Sequence, residues 1–265
     1  MDKDANDIQD WWQTSIIDME PGRISFRGRP IEDLIGNVSF GQMIWLMTRD
    51  DSATPEQAAL LECALVAGVD HGPQAPSIAA ARMAATCGVG LNNVIATGVN
   101  MLGDIHGGAG EQCAELYLNI ADRIDDGASL EAAVQDGLDA RRKISGKIIP
   151  GFGHRFHRPV DPRAPRLMKL VRDAAQVGTV SGRFADIAEA VQSAIGKARG
   201  EAIAMNIDGA TAVIFCELGF PPALSRGLFC LSRSVGILAH GWEQMQQGGR
   251  NKGPMPPRFL PNYKA

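Results

Sequence analysis

The sequence predicts an all-α fold, and three observations carry that prediction. Ala, Leu, Met, Glu and Gln fill segments whose apolar residues recur at spacings of three and four. Few windows alternate apolar with polar residues as a half-buried strand does. The periodic segments are separated by breaks of Gly, Pro or Asn. A chain of 265 residues suffices for one large domain, or for a principal domain with a small companion, around a sizeable core.

The first periodic segment is expected as a helix over 39–48. Thr54-Pro55-Glu56-Gln57 then supplies a capping residue, a proline at the first helical position and a glutamine placed to complete a capping box. It launches a helix through Leu60, Leu61, Ala64 and Leu65 toward His71. Further helices follow at 77–87, 91–103, 110–123, 129–143, 163–175, 181–198, 208–217 and 222–246. The stretch from Gly248 to Ala265, with four prolines and few apolar residues, reads as an extended arm. Two breaks are richer than a connection needs, His106-Gly107-Gly108-Ala109-Gly110 and Pro150-Gly151-Phe152-Gly153-His154. Each joins a histidine to backbone that a ligand can approach closely, because glycine has no side chain.

Composition narrows the function. Apolar residues at 45% and charged residues at 21% describe a globular chain and exclude a disordered tail, a collagen-like repeat or a disulfide miniprotein. A net charge of -4 gives no global attraction to nucleic acid or to an anionic membrane, so an anionic ligand needs a local cluster of cations. Cys63, Cys87, Cys113, Cys216 and Cys230 are odd in number and lack C-x-x-C spacing, which argues against a disulfide framework or a zinc site. The acidic opening Met1-Asp2-Lys3-Asp4 lacks a signal-peptide pattern, and no long uncharged apolar stretch follows. A cytoplasmic location is therefore expected.

Of the five histidines, His106 and His154 stand beside glycine-lined turns and lead as catalytic candidates. His240, within a long helix, reads equally as structural or functional. No metal site is expected: there is no H-E-x-x-H and no i,i+4 histidine pair, and His154 with His157 has only Asp161 near it in sequence. Arg155, Arg158, Arg163 and Arg166 crowd one proline-stiffened stretch, either an anion trap for carboxylate and phosphate or a surface salt-bridged to acidic helices. Asp208 reads either as the N-cap of the helix from Ala210 to Phe215 or as a general base. Gly88-Val89-Gly90 has no strand before it and is not a dinucleotide site.

Taken in order, these residues resemble the citrate synthase superfamily. The likeness runs through Gly22-Arg23-Ile24-Ser25-Phe26-Arg27-Gly28-Arg29-Pro30-Ile31-Glu32-Asp33-Leu34, Asp70-His71-Gly72, His106-Gly107-Gly108-Ala109 and Pro150-Gly151-Phe152-Gly153-His154. It continues through Asp161-Pro162-Arg163, Asn206-Ile207-Asp208-Gly209 and Ser232-Arg233-Ser234-Val235-Gly236 with Ala239-His240. The short segment between Phe40 and His71, with Asp70-His71-Gly72-Pro73, is most similar to citryl-CoA lyase and the lyase domain of ATP-citrate lyase.

The resemblance implies roles position by position. His106 and Asp208 match the pair that enolises an acyl-CoA, histidine on the thioester oxygen and aspartate on the α-proton. His154 matches the residue that handles the oxo-group proton. His71, Arg163 and Arg233 match the carboxylate clamp, Arg158 a contact to coenzyme A phosphate, and Gly151, Phe152 and Gly153 the coenzyme A loop. It further implies a smaller helical domain at 107–219 that closes over the cleft of a larger one formed by 1–106 and 220–265, and a homodimer or higher homo-oligomer. No permanently bound cofactor is implied; coenzyme A enters as a thioester substrate.

Three functions follow as expectations. The first is cleavage of citryl-CoA, or a related 3-hydroxyacyl-CoA, to acetyl-CoA and oxaloacetate, with a separate CoA ligase upstream. The second is a short citrate or 2-methylcitrate synthase, or condensation with another oxo acid. The third is a non-catalytic sensor of CoA esters or polycarboxylates. The arm departs from the synthase pattern, since Pro256 stands where synthases supply an arginine, with Arg250, Lys252 and Arg258 nearby.

Overall fold

The computed structural model describes residues 10–154, 156–157 and 160–264. The described residues up to Glu62 form one compact unit and those from Cys63 onward a second.

The first unit holds a sheet that the strand signals did not announce. Strands β1 (Ile17–Glu20), β2 (Arg23–Phe26) and β3 (Arg29–Pro30) pair antiparallel in the order β1-β2-β3. Its turns explain it better than its strands do. Pro21-Gly22, with φ +82 at the glycine, fits a type II turn, while Arg27 and Gly28, with φ +48 and +75, give the left-handed pair of a tight hairpin. Strands of four, four and two residues, the first wholly exposed, are too short for a period-two pattern to emerge. Helices α1 (Ile31–Leu34) and α2 (Phe40–Arg49) follow, and α3 (Pro55–Gly68) leads into the second unit. Ser39 and Gln42 close a capping box on α2, and the Glu62 carboxylate accepts the Gly41 N–H at 2.9 Å. The box foreseen at Thr54 is present: Gln57 Oε1 accepts the Thr54 N–H at 2.9 Å, and Thr54 Oγ1 accepts the Gln57 N–H at 3.2 Å.

The second unit contains α4 (Pro76–Ala85), α5 (Leu91–Asn100), α6 (Ala109–Asp125), α7 (Leu130–Ser145), α8 (Arg163–Gln176), α9 (Arg183–Arg199), α10 (Ile207–Glu217) and α11 (Pro222–Gln247). Most ends lie within two residues of those read from the sequence, because Gly and Pro mark them. From Gly248 onward the described chain has no helix or strand. Helices α4, α5 and α11 pack together around Ile78, Ala81, Val94 and Ile237. Helices α6, α8 and α9 surround α10, which is buried from Gly209 to Cys216 and apolar on every side.

A glycine contact fixes the loop 150–154 on the start of α10. A Cβ on Gly209 would lie 2.5 Å from the Gly151 carbonyl oxygen, and one on Gly151, whose φ is +85, would lie 2.6 Å from Cys113 Sγ. Main-chain bonds complete the junction: Asn206 N–H to Gly151 O at 3.0 Å, and Gly153 N–H to Ala204 O at 2.7 Å. Gly151→Ala combines an overpacked contact with an unfavourable φ, and is expected to destabilise the fold by about 2–3 kcal/mol in urea unfolding. A loss below about 0.5 kcal/mol would show that the junction has slack.

Candidate active site

Six segments of the second unit carry the candidate residues. The loop after α3 carries Asp70 and His71, and α11 holds it in place. Ser232 Oγ donates to Leu65 O at 2.5 Å and Arg233 Nε to Gly68 O at 3.0 Å, while a Cβ on Gly236 would strike the Val69 carbonyl. Asp70 accepts the Gly72 N–H at 3.0 Å and pairs with His240 Nε2 at 3.2 Å. His240 Nδ1 accepts from Arg82 at 3.1 Å, and Arg82 also pairs with Glu243 at 2.5 Å. Both ring nitrogens of His240 are thus engaged in joining α4, α11 and the His71 loop.

His106 sits in the glycine-rich turn before α6. Its Nε2 accepts the Ser77 main-chain N–H at 3.2 Å and lies 2.9 Å from Ser77 Oγ. A nitrogen that accepts an N–H carries no proton, so the proton belongs to Nδ1. Burial lowers the pKa of His106 below the ordinary 6.5, and the Arg233 charge lowers it further. Ser77 is the second residue of α4, and the positive end of that helix likewise opposes an imidazolium. His106 is a neutral imidazole with a donor at Nδ1.

His154 is fixed in the opposite tautomer. Its Nδ1 accepts the N–H groups of Phe156 and His157, both at 3.0 Å, so the proton lies on Nε2, which faces His71 Nε2 at 3.1 Å. Burial lowers the pKa of both histidines; His157 acts next on His154, and Arg163 and Arg233 on His71. His71, His154 and His157 place ligand nitrogens within 4.8 Å of one another. That donor set suits a cation poorly. The lone pair of His154 is spent on two amides, its other nitrogen bears hydrogen, and the two arginines repel positive charge.

At the start of α10 the cap is Asn206, two residues before the predicted base. Asn206 Oδ1 accepts the Asp208 N–H at 2.9 Å and the Gly209 N–H at 3.3 Å, and its Nδ2 donates to Gly153 O at 2.8 Å. Asp208 is therefore not the cap, and its carboxylate accepts no hydrogen bond among the described residues. Burial raises its pKa, against the pull of Arg233 and Arg163 and with the push of Asp161. A raised carboxyl is a stronger base.

Two arginines face these groups. Arg233, 4% exposed, stacks over Phe229 at 4.9 Å and uses Nε on the main chain. Arg163 pairs through Nε and one terminal nitrogen with Asp161, at 2.9 and 2.8 Å. Asp161 is 0% exposed and also accepts the main-chain N–H groups of Arg163 at 3.1 Å and Ile207 at 3.3 Å. Burial pushes this carboxyl up, but Arg163 outweighs it and holds it below the ordinary range. Gly151 is consumed by packing, whereas a Cβ on Gly153 would meet nothing within 4 Å, so of the two glycines Gly153 is open to a ligand. Phe152 forms a bridge to Met205. Arg158, and Arg155 of the same stretch, lie outside the described residues.

The sequence reading passed over Ser77, Asn206 and Asp161 as working parts. Asn206 had a usable signal, an N-cap residue ahead of an apolar run. Ser77 had none, because its contribution is a main-chain N–H that meets His106 across 29 residues.

Comparison with known proteins identifies the family and the fold. The family described as citrate synthase, C-terminal domain, matches residues 46–255. The citrate synthase of Saccharolobus solfataricus is 27% identical over 213 residues, which cover 80% of this chain and 54% of that protein. The chain spans about half the length or less of such curated relatives. Citryl-CoA lyase from Hydrogenobacter thermophilus superposes with a TM-score of 0.83 at 32% identity, covering 96% of this chain and 95% of that one. ATP citrate lyase from Methanothrix soehngenii, solved with citrate and coenzyme A, gives 0.78 at 21% identity over 100% of this chain and 45% of that one, a likeness of fold.

The three depressed histidines have a signed consequence. The unfolded chain binds their protons near pH 6.5, the folded chain only at lower pH, so their contribution is complete above that value and is lost as pH falls through it. Asp208, raised by burial, opposes this loss, since its folded carboxyl binds its proton at higher pH than the unfolded one does. Urea unfolding should show stability falling from about pH 7.5 to about pH 5.5, and His106→Asn should make the fall shallower. An equal slope in both proteins would mean that His106 titrates normally.

Proposed function

The chain belongs to the citrate synthase family, and from that premise we propose that it is an enzyme acting on a CoA thioester, cleaving citryl-CoA reversibly to acetyl-CoA and oxaloacetate. Two neutral histidines whose protons are fixed by main-chain amides, beside an uncapped carboxylate and two arginines, support this reading more than any other feature. The 32% identity and TM-score of 0.83 to a citryl-CoA lyase support the lyase over the synthases, which match at lower identity.

In the condensing direction Asp208 removes the α-proton of acetyl-CoA while His106 Nδ1–H holds the thioester oxygen. A thioester α-proton is too weakly acidic for a lone carboxylate, so the charge developing on oxygen must be met as the proton leaves. The enol carbon then attacks the oxo carbon of oxaloacetate, and His154 Nε2–H protonates the oxygen. Cleavage runs these steps backward from the protonation state in which they end, with His154 Nε2 bare and Asp208 protonated: the hydroxyl proton passes to His154 Nε2, the C–C bond breaks, and Asp208 gives its proton to the enol carbon. Arg163, Arg233 and His71 bind the carboxylates of the oxo acid. Coenzyme A lies along Phe152 and Gly153, with Arg158 on a phosphate, as a substrate and not a resident cofactor.

Residues 107–219, which include His154 and Asp208, form the smaller domain and close over the ligands against the segments bearing His71, His106 and Arg233, excluding water from the enol. The active form is a homodimer or higher homo-oligomer, and a separate ligase makes the CoA ester. The five free thiols and the absence of any described helix long and apolar enough to cross a membrane support a cytoplasmic location.

A short citrate or 2-methylcitrate synthase is the second reading, favoured by the citrate synthases among the relatives. Purified protein given citryl-CoA should yield acetyl-CoA and oxaloacetate by mass spectrometry; citrate with free CoA would establish the synthase, and bound but unconverted citryl-CoA a sensor. Asp208→Ala should slow α-proton exchange of acetyl-CoA by about 10²–10⁴-fold. Undiminished exchange would remove Asp208 from the mechanism.

A further inference from the structure

Two carboxylates flank the turn that carries His106, and one guanidinium joins them. Asp104 stands two residues before His106, and Glu111 five after it, in the first turn of α6. Arg226, on α11, donates from a terminal nitrogen to Asp104 Oδ1 at 2.6 Å and turns its Nε to Glu111 Oε2 in an ion pair. The two ends of this clamp differ. Asp104 is 73% exposed, so its bond alone is a surface contact, whereas the Glu111 side chain is 15% exposed and the facing Nε and Oε2 atoms are sealed from solvent.

The turn needs a hold from outside. Ile105 is the one large apolar side chain between Gly103 and Gly108, and it is fully exposed, so no buried side chain roots the turn in the core. Its inner geometry is tight: the Gly103 N–H meets His106 O at 2.8 Å, and a Cβ on Gly108 would lie 2.8 Å from Asp104 O. Gln112 Nε2 adds a bond to Asp104 O at 3.1 Å. A pull at Asp104 is therefore felt at His106. Among the described residues, the hydrogen bonds that tie 103–108 to helices other than the adjoining α6 come from Ser77 on α4 and Arg226 on α11. Ser77 sets which nitrogen of His106 carries the proton, but only while the ring stays within reach of its N–H.

We infer that Arg226 is a positioning residue for His106: bound to Asp104 and Glu111 together, it holds the turn where His106 Nε2 meets the Ser77 amide and Nδ1–H is left for the substrate. The inference deepens the reaction proposed above and rests on the role His106 has in it. Without the guanidinium, the bond to Asp104 is lost and Glu111 keeps a buried oxygen with no cation facing it, which draws the first turn of α6 toward water. A displacement of about 1 Å in a group that acts on the reacting atoms costs on the order of 10²-fold in rate. Lysine keeps the charge but not the planar fork that meets two carboxylates along fixed directions, so it replaces Arg226 only in part.

The test reads His106 first without substrate. Nitrogen-15 imidazole spectra near pH 7.5, with the His106 signals assigned by their loss in His106→Asn, should show one Nδ1–H tautomer in the wild-type chain and a mixture of tautomers in Arg226→Gln. Asp104→Asn cuts the exposed bond alone and should move the spectrum the same way by a smaller amount. Circular dichroism checks that each variant is folded; if Arg226→Gln is not, Asp104→Asn decides in its place. With citryl-CoA, Arg226→Gln should lower kcat about 10- to 100-fold while KM changes less than about threefold, and Arg226→Lys should recover part of the loss. A single Nδ1–H tautomer in the folded variant, or a raised KM with kcat kept, would overturn the proposal. Because the spectra need no substrate, they separate failure of this clamp from failure of the reaction: a wild-type chain that leaves citryl-CoA intact refutes the reaction, and the variant spectra still decide the clamp.

Discussion

The site depends on how the amino end of a buried helix is satisfied. Helix α10 begins inside the protein, where the unpaired N–H groups of a first turn have no water to meet. Asp161 accepts the Ile207 N–H, and Asn206 accepts those of Asp208 and Gly209. Two neighbouring side chains therefore do the capping, and the carboxylate of Asp208 is left unspent. Had Asp208 been the cap, its oxygens would be committed to amides, its pKa held down, and its basicity lowered.

Asp161 links this arrangement to the arginines. Desolvating a carboxylate costs several kcal/mol, and a buried ion pair repays that only when the remaining lone pairs are also filled. Here two guanidinium bonds and two main-chain bonds fill them. The result is one rigid unit in which the orientation of Arg163 and the position of Asp208 are set by the same carboxylate. The neutral histidines follow a parallel logic. Ser77 takes one nitrogen of His106, and the amides of Phe156 and His157 take one of His154, so main-chain geometry decides which nitrogen of each ring faces the site with a proton.

Glycine has separable uses in this chain. At Gly151 and Gly209 it lets two main chains touch, which docks the His154 loop on α10; at Gly153 it leaves backbone uncovered. The sequence reading assigned 151–153 to ligand approach as a group, since spacing cannot distinguish a glycine needed for packing from one needed for access. The same limit applied to Asp208, whose two readings differ only in whether Asn206 turns inward to cap the helix.

What the sequence determined by itself was local or repeated. Helices of ten to twenty-six residues show their period several times over and end at Gly, Pro or a capping box, so α2 to α11 were legible with their approximate ends. The ordered motifs identified the family, because matches in sequence order together carry more information than any one. The sheet of the first unit was not legible, since its strands are shorter than the pattern that would reveal them. Tertiary structure alone decided the tautomers of His106 and His154, the capping of α10 by Asn206 and Asp161, and the contacts of His240 with Arg82 and Asp70. Each rests on bonds between particular groups that meet at one place in the fold, as with Ser77 and His106 or Asp161 and Ile207. A contact that occurs once has no period, and only the folded geometry makes it visible.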